Sequence, residues 1–236
     1  MSPQTLLAET AAAWGLPLTA TQLKQFAVYT STLQIWNVRV NLTAITDPEG
    51  VVVRHFLDSL RCAWAWGDTP TSLIDIGSGA GFPGIPLKIL HPDLHLTLVE
   101  SVGKKAAFLG HIVERLALDN VTVLDSRAEI IGHDPQHREQ YDVATARAVA
   151  GLRVLAEYGL PLVRPGGRLL APKGADVAAE LAAAQRAIKI LGGEVPAVEP
   201  VTLPGLDPRT LVVIGKTRPT PLEYPRAVGV PARRPL

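Results

Sequence analysis

The chain has 236 residues, of which 47% are hydrophobic and 19% charged, and its formal net charge is +1. These values predict an α/β domain with an appendage, because a chain of this length can bury a substantial core. No apolar run approaches the ~20 residues that span a bilayer, and no signal peptide is evident, so we expect no membrane partner. The single cysteine, Cys62, excludes an intramolecular disulfide and predicts a reducing, cytoplasmic location. With so small a net charge, any RNA binding must depend on local clusters of basic residues.

Residues 1–68 are predicted to form an N-terminal helical region. Apolar residues from Leu23 to Trp36 repeat at three- and four-residue steps, and a second such stripe runs from Val52 to Trp64. The stretch between the two stripes is polar and irregular.

From residue 72 to residue 217, predicted strands alternate with helices, which favours a parallel sheet with helical crossovers. The last two strands are too close for a crossover and should pair antiparallel. Pro196 and Pro200 place the 194–203 strand at an edge. The predicted strands are 72–76, 95–100, 121–124, 141–146, 167–172, 194–203 and 210–216, and the predicted helices are 84–90, 103–117, 150–163 and 176–191. Residues 69–217 therefore predict the Rossmann-like class I S-adenosylmethionine-dependent methyltransferase fold, with seven strands, mostly parallel and one antiparallel.

Residues 218–236 are rich in proline and carry four arginines against one acid, Glu223. This composition predicts an extended or disordered C-terminal tail.

A glycine-rich turn follows the first strand and reads D-I-G-S-G-A-G-F-P-G-I-P over residues 75–86. The dinucleotide fingerprint G-x-G-x-x-G fails when it is counted from Gly77, and its shifted version contains Pro83, which has no amide hydrogen for a pyrophosphate. A ligand without phosphate fits better, so the turn favours S-adenosylmethionine over a purely structural βα turn. Asp75 would face the methionine amine, and Gly77, Gly79 and Gly81 would lie under the methionine and ribose. Glu100 ends the next strand, where it would bind the ribose hydroxyls.

No residue is assigned as the catalytic group. The position after the fourth strand reads T-A-R-A-V and lacks the [DN]-P-P-[FYW] motif of adenine N6 chemistry. Cys62 lies outside the catalytic loops, which argues against a cysteine nucleophile. An acceptor with a free lone pair, such as guanine N7, needs no general base, so positioning would supply most of the acceleration.

Basic residues cluster at the predicted carboxyl ends of the strands, where ligands bind in such sheets. Arg147 stands within an apolar run, so it must find a partner or a ligand. Ala128 and Glu129 follow the third strand, where this fold places adenine. His91 and His95 are separated by Pro92 and do not predict a metal site.

These residues resemble one family, the bacterial 16S rRNA guanine-N7 methyltransferases (RsmG, also called GidB), over nearly the whole chain. The resemblance implies methylation of one guanosine N7 in the 530 loop of 16S rRNA, with S-adenosylhomocysteine as product. It rests on Trp36-Asn37 with Asn41-Leu42-Thr43, Arg54-His55 with Leu57-Asp58-Ser59, the 75–86 turn, Glu100-Ser101 with Gly103-Lys104-Lys105, residues 126–129, Ala146-Arg147-Ala148, Lys173-Gly174 and residues 209–214.

The family's cofactor contacts map onto Gly77, Phe82, Ala128, Glu129 and Arg147, with Glu100 as the ribose ligand. The candidates for holding rRNA are Arg54, His55, Lys104, Arg127, Lys173 and Arg209. The implied partner is 16S rRNA, free or in an assembling small subunit, and a monomer is favoured. The alternatives are a methyltransferase for another RNA or a small molecule, an NAD-dependent oxidoreductase, and a non-enzymatic ribosome-assembly factor. A disordered tail would be dispensable for cofactor binding.

Overall fold

The computed structural model describes all 236 residues and contains one seven-stranded sheet in the order β3-β2-β1-β4-β5-β7-β6. The strands are β1 (Ser72–Ile76), β2 (His95–Glu100), β3 (Val121–Asp125), β4 (Tyr141–Ala146), β5 (Val163–Lys173), β6 (Ala197–Val201) and β7 (Arg209–Gly215). The first five strands run parallel, whereas β7 is antiparallel to both β5 and β6. The predicted methyltransferase fold is therefore confirmed, including the edge position of β6.

Ten α-helices surround the sheet. They are α1 (Pro3–Ala13), α2 (Ala20–Val40), α3 (Pro48–Val51), α4 (Asp58–Leu60), α5 (Gly84–Leu90), α6 (Gly103–Arg115), α7 (Ala128–Ile131), α8 (Leu152–Gly159), α9 (Ala178–Ile190) and α10 (Val230–Arg233). A π-helical turn (Val52–Leu57) joins α3 to α4, and a 3-10 helix (Arg61–Ala65) follows α4. None of these helices is long and apolar enough to cross a membrane.

The strands alternate their side chains between two cores, as a pleated sheet requires. Leu73 of β1 joins the N-terminal helices in one core, and the next residue, Ile74, joins α8 and α9 in the other. The N-terminal helices thus cover one face of the sheet and share its core. The division of the chain near residue 68 stays a prediction.

The C-terminal tail passes through bends and turns to the short helix α10 and is bound to the domain, so the prediction of an extended or disordered tail is wrong. Arg226 is bound by the buried carboxylate of Glu157, at 2.6 Å from Nη2 to Oε2. The guanidinium of Arg138 donates to the backbone carbonyls of Thr220, Pro221 and Tyr224. These contacts bind the tail to the domain, and the tail's composition gave no indication of them.

Candidate active site

The glycine-rich turn leaves the carboxyl end of β1 with a left-handed backbone at alternate residues. Gly77, Gly79 and Gly81 have φ of 63°, 57° and 92°. A Cβ at Gly77 would lie 2.6 Å from a methyl carbon of Val149, and one at Gly81 would lie 2.5 Å from Ile85 Cδ1. Around Gly79 the nearest atom to such a Cβ is a backbone oxygen at 3.8 Å. Glycine is therefore favoured by conformation at these three positions, and Gly79 leaves room for a ligand to approach the backbone.

Glu100 ends β2 beside this turn, and its buried carboxylate holds two backbone groups. Oε2 accepts from the Gly79 N–H at 2.9 Å, and Oε1 accepts from the Val102 N–H at 2.8 Å. A carboxylate oxygen has two lone pairs, so each oxygen can still accept a bond from a ligand hydroxyl.

A cleft of about 260 Å³ opens at the carboxyl ends of β1 to β4. Its size is near the lower end of ligand pockets, about 300 Å³. The predicted cofactor residues Gly77, Ala128 and Glu129 meet here, together with Arg127. The full lining comprises Ile76, Gly77, Val99, Ser101, Ser126, Arg127, Ala128, Glu129, Val149, Ala150, Tyr158 and Ala232.

Asp75 lies below the turn and outside the lining of this cleft. Its side chain is fully buried; Oδ2 accepts from the Gly84 N–H and Oδ1 from the Thr145 hydroxyl, both at 3.1 Å. Burial raises the pKa of Asp75 to about 7. The carboxylate thus supports the turn from beneath, and its contact with a methionine amine stays a prediction.

Arg147, which follows β4, is held by the N-terminal helical region. Its Nη1 donates to Asp58 Oδ2 at 2.9 Å and to the carbonyl oxygen of Arg54 at 3.1 Å. Its Nη2 lies 3.1 Å from His55 Nδ1. Arg209 Nη1 approaches the other oxygen of Asp58 at 3.7 Å. Sequence analysis required either a partner or a ligand for Arg147, and the structure provides a partner, the Asp58 carboxylate from another part of the chain.

His55 belongs to the π-helical turn and is neutral in this arrangement. Because Arg147 donates to Nδ1, the ring proton is assigned to Nε2, which donates to Thr43 Oγ1 at 2.8 Å. Burial, and secondarily the charge of Arg147, lowers the pKa of His55 to about 3. The imidazole stacks on Phe82 with a centroid distance of 4.4 Å.

Helix α2 contacts the glycine-rich turn through Tyr29. Its hydroxyl donates to the carbonyl oxygen of Ala80 at 2.5 Å, and its ring stacks on Phe82 at 5.3 Å. Phe82 is itself buried and lies 5.0 Å from the guanidinium carbon of Arg147. The N-terminal helices therefore shape the turn as well as the core.

Sequence reasoning assigned no role to Tyr29 or Asp58. A weak signal for Asp58 was available, because this carboxylate directly follows the apolar pair Phe56-Leu57 of the second apolar stripe. No comparable signal marks Tyr29, which lies on the buried stripe of an amphipathic helix.

The six candidates for rRNA contact fall into two groups. Arg54, Lys104 and Arg127 are exposed. His55 is buried, and Arg209 is half-buried beside Asp58. The ammonium of Lys173 is engaged by the Ala150 carbonyl oxygen at 3.0 Å and by Glu180 Oε1 at 2.8 Å. Lys173 therefore joins β5 to α9 in this structure.

The sheet order, the reversed strand and the glycine-rich turn define a class I S-adenosylmethionine-dependent methyltransferase. Solved structures support the fold: the 16S rRNA (adenine(1408)-N(1))-methyltransferase from Catenulisporales acidiphilia superimposes with a TM-score of 0.54 at 14% identity, covering 68% of this chain and 92% of that one. A second structure of that enzyme, which contains the cosubstrate S-adenosylmethionine, gives a TM-score of 0.52 at 15% identity, covering 69% and 93%. At these identities the likeness concerns the fold alone.

The family model described as "rRNA small subunit methyltransferase G" (GidB) matches residues 22–205. Proteins named ribosomal RNA small subunit methyltransferase G are 68% identical in a Roseiflexus species, over 98% of this chain and 99% of the relative, and 60% identical in Chloroflexus aggregans, over 98% and 97%. The chain belongs to the rRNA small subunit methyltransferase G family. The resemblance seen in the sequence is therefore confirmed, as are the enzyme class and its cofactor.

Proposed function

We propose that this chain transfers a methyl group from S-adenosylmethionine to N7 of one guanosine in the 530 loop of 16S rRNA. The observation that carries the proposal is the convergence of the glycine-rich turn, Glu100 and Ala128-Glu129 at one edge of the sheet, in a chain of this family. When bound, the cofactor supplies an electrophilic methyl group on a sulfonium. The residues of the chain bind and orient the two reactants.

The residues around the cleft fit an adenosine moiety. Glu100 keeps lone pairs for the ribose hydroxyls while it holds Gly79 and Val102. Ala128 and Glu129 are the first residues of α7, and a helix leaves its first N–H groups without intrahelical partners. Those N–H groups can bind the adenine edge. The open backbone at Gly79 lets the ligand lie against the turn.

Arg147 and Phe82 lie on the side of the turn that faces the N-terminal helices. A guanidinium there complements the carboxylate of the methionine moiety, and its bond to Asp58 holds it in one orientation. Guanine N7 attacks with its own lone pair, so the chain need not remove a proton from the acceptor. Positioning of the base is then the main contribution of the protein to the rate.

The rRNA contacts in this proposal are the exposed Arg54, Lys104 and Arg127. Such residues bind phosphate and set the register of the RNA. Because the net charge is only +1, we infer that ribosomal protein or folded RNA of the assembling subunit completes the contact. A monomer acting in the cytoplasm is part of the same proposal.

The test supplies the purified protein with methyl-labelled S-adenosylmethionine and either 16S rRNA or small subunits from cells that lack this enzyme. The RNA is then digested and the labelled nucleoside identified. We expect label in 7-methylguanosine, greater with subunits than with free rRNA, and its loss in Glu100→Gln. Glu114→Gln, an exposed change on α6, is the matched control and should retain activity. Label in another nucleoside would contradict the proposed atom, and cofactor binding without any label would favour an assembly factor.

A further inference from the structure

The C-terminal segment reaches the cofactor cleft. We call residues 224–232 the C-terminal strap. Ala232, in α10, lines the same cleft as Gly77 and Ala128. The Gly229 N–H donates to Oε1 of the buried Glu129 at 2.9 Å. Two independent contacts thus place the strap at the edge of the cleft formed by residues 126–129.

The strap is attached to the two helices beside this edge. His133 Nε2 lies 2.6 Å from the Pro225 carbonyl oxygen and donates to it. Gly132 follows α7, and a Cβ there would lie 2.7 Å from Pro225 Cγ, so the Pro225 ring packs closely against the Gly132 backbone. Arg226 donates from its backbone N and from Nε to Glu157 of α8, at 2.9 and 2.8 Å. These bonds offset the cost of burying the Glu157 charge, so the loss of Arg226 would be unfavourable. They attach the strap to α8.

We propose that the C-terminal strap is a positioning element for the adenosine moiety of the cofactor. Ala232 forms one wall of the cleft, whose apolar lining also includes Val99 and Val149. Gly229 binds the Glu129 carboxylate, so the strap contacts a residue that the proposed function places beside the adenine ring. The inference rests on the proposed function, because it assumes that this cleft holds adenosine. It reverses the expectation that the tail is dispensable for cofactor binding.

The test measures the Kd of S-adenosylhomocysteine by calorimetry with the full-length protein and three variants. Ala232→Trp places a large ring in the cleft at an exposed position and should raise the Kd at least tenfold. Ala227→Trp is the matched control: Ala227 is exposed on the same strap but does not line the cleft, and its Kd should stay within twofold of the parent value. Deletion of residues 230–236 removes the wall and should raise the Kd about fivefold, with folding checked by thermal unfolding.

An unchanged Kd in Ala232→Trp and in the deletion variant would overturn the inference. Equal weakening by the two tryptophan variants would also overturn it, because the effect would then not depend on the cleft. If the parent protein fails to bind S-adenosylhomocysteine, both the strap's role and the cofactor assignment are wrong. If the parent binds it but does not methylate small-subunit rRNA, only the proposed substrate is wrong, and the ratio of Kd values still decides the role of the strap.

Discussion

The carboxylate of Asp58 lies 2.9 Å from the guanidinium of Arg147, and this ion pair joins the N-terminal helical region to the end of β4. The side chains of Asp58 and Arg147 are only 3% and 14% exposed. A cation so poorly hydrated beside the glycine-rich turn needs its counter-charge. The pair therefore links the packing of the N-terminal helices to the geometry of the site.

Asp58→Asn tests this link. The change leaves Arg147 without a formal counter-charge, and breaking one partner of a buried pair costs about 3 kcal/mol. We expect the free energy of unfolding in urea to fall by that order and the affinity for S-adenosylhomocysteine to fall with it. Asp207→Asn, at an exposed loop position, is the control and should change neither quantity. If a folded Asp58→Asn protein bound S-adenosylhomocysteine with wild-type affinity, the ion pair would have no role in the geometry of the site.

Tyr29→Phe tests whether α2 holds the turn. The variant removes the hydroxyl that donates to Ala80 and leaves a buried carbonyl oxygen unsatisfied, at a cost of about 1–3 kcal/mol. We expect a lower midpoint of urea unfolding and a higher Kd for S-adenosylhomocysteine. Thr202→Val is the control, because it removes an exposed hydroxyl that makes no hydrogen bond within the chain. A loss of stability with no change in Kd would show that Tyr29 stabilises the core but does not influence cofactor binding.

The lowered pKa of His55 predicts a pH dependence of stability. Its pKa is about 3 when folded and near 6.5 when unfolded, so the unfolded chain binds more protons between these values. The stability that neutral His55 contributes is fully present above pH 6.5 and is lost as the pH falls toward 3. We therefore expect the difference in free energy of unfolding between wild type and His55→Asn to shrink as the pH is lowered from 7 to 5. The expected decrease in this difference is about 1 kcal/mol or more.

The measurement for His55 is urea unfolding of both proteins at each pH. Asp75 acts in the opposite sense, because its raised pKa favours folding as the pH falls from about 7. Comparison with the His55 variant removes most of the Asp75 contribution, which is common to both proteins. A constant difference between the two proteins across this range would show that His55 does not titrate as the structure implies.

Arg226→Met tests the attachment of the C-terminal strap. It would leave the Glu157 carboxylate buried without its cation, which costs about 3 kcal/mol. We expect a lower Tm and faster proteolysis of residues 218–236. Arg234→Met, which is exposed and in no ion pair, should behave as wild type. Equal protease sensitivity of the two variants would indicate that the strap is held by other contacts.

The basic residues considered for rRNA contact should separate into two classes. Arg54→Gln with Lys104→Gln removes exposed charge, so we expect weaker binding of small-subunit rRNA and a smaller dependence of that binding on salt. Affinity for S-adenosylhomocysteine should not change. Lys173→Met should instead lower the Tm, because it breaks the ion pair with Glu180. A filter-binding titration over a salt series, together with thermal unfolding, distinguishes the two outcomes.

The sequence predicted the elements of the sheet closely. The limits of β1, β2 and β4 and of helix α5 agree with the sequence prediction to the residue, because strand and helix periodicity and the glycine-rich turn are properties of neighbouring residues. Strand β5 begins earlier than predicted, where the register with β4 shifts between Tyr141 and Val143. That irregularity depends on the neighbouring strand and has no local sequence signal.

The sequence by itself determined the fold class, the family and the positions of the glycine-rich turn and Glu100. Only the tertiary structure decided the partners of the buried charged side chains. Arg147 binds Asp58, 89 positions earlier in the chain, and Glu157 binds Arg226, 69 positions later. The tertiary structure also placed the tail against the cleft and paired Lys173 with Glu180 in an ion pair. Periodicity and turn chemistry arise from adjacent residues, whereas the partner of a buried charge is chosen by the packing of distant segments, which no local pattern encodes.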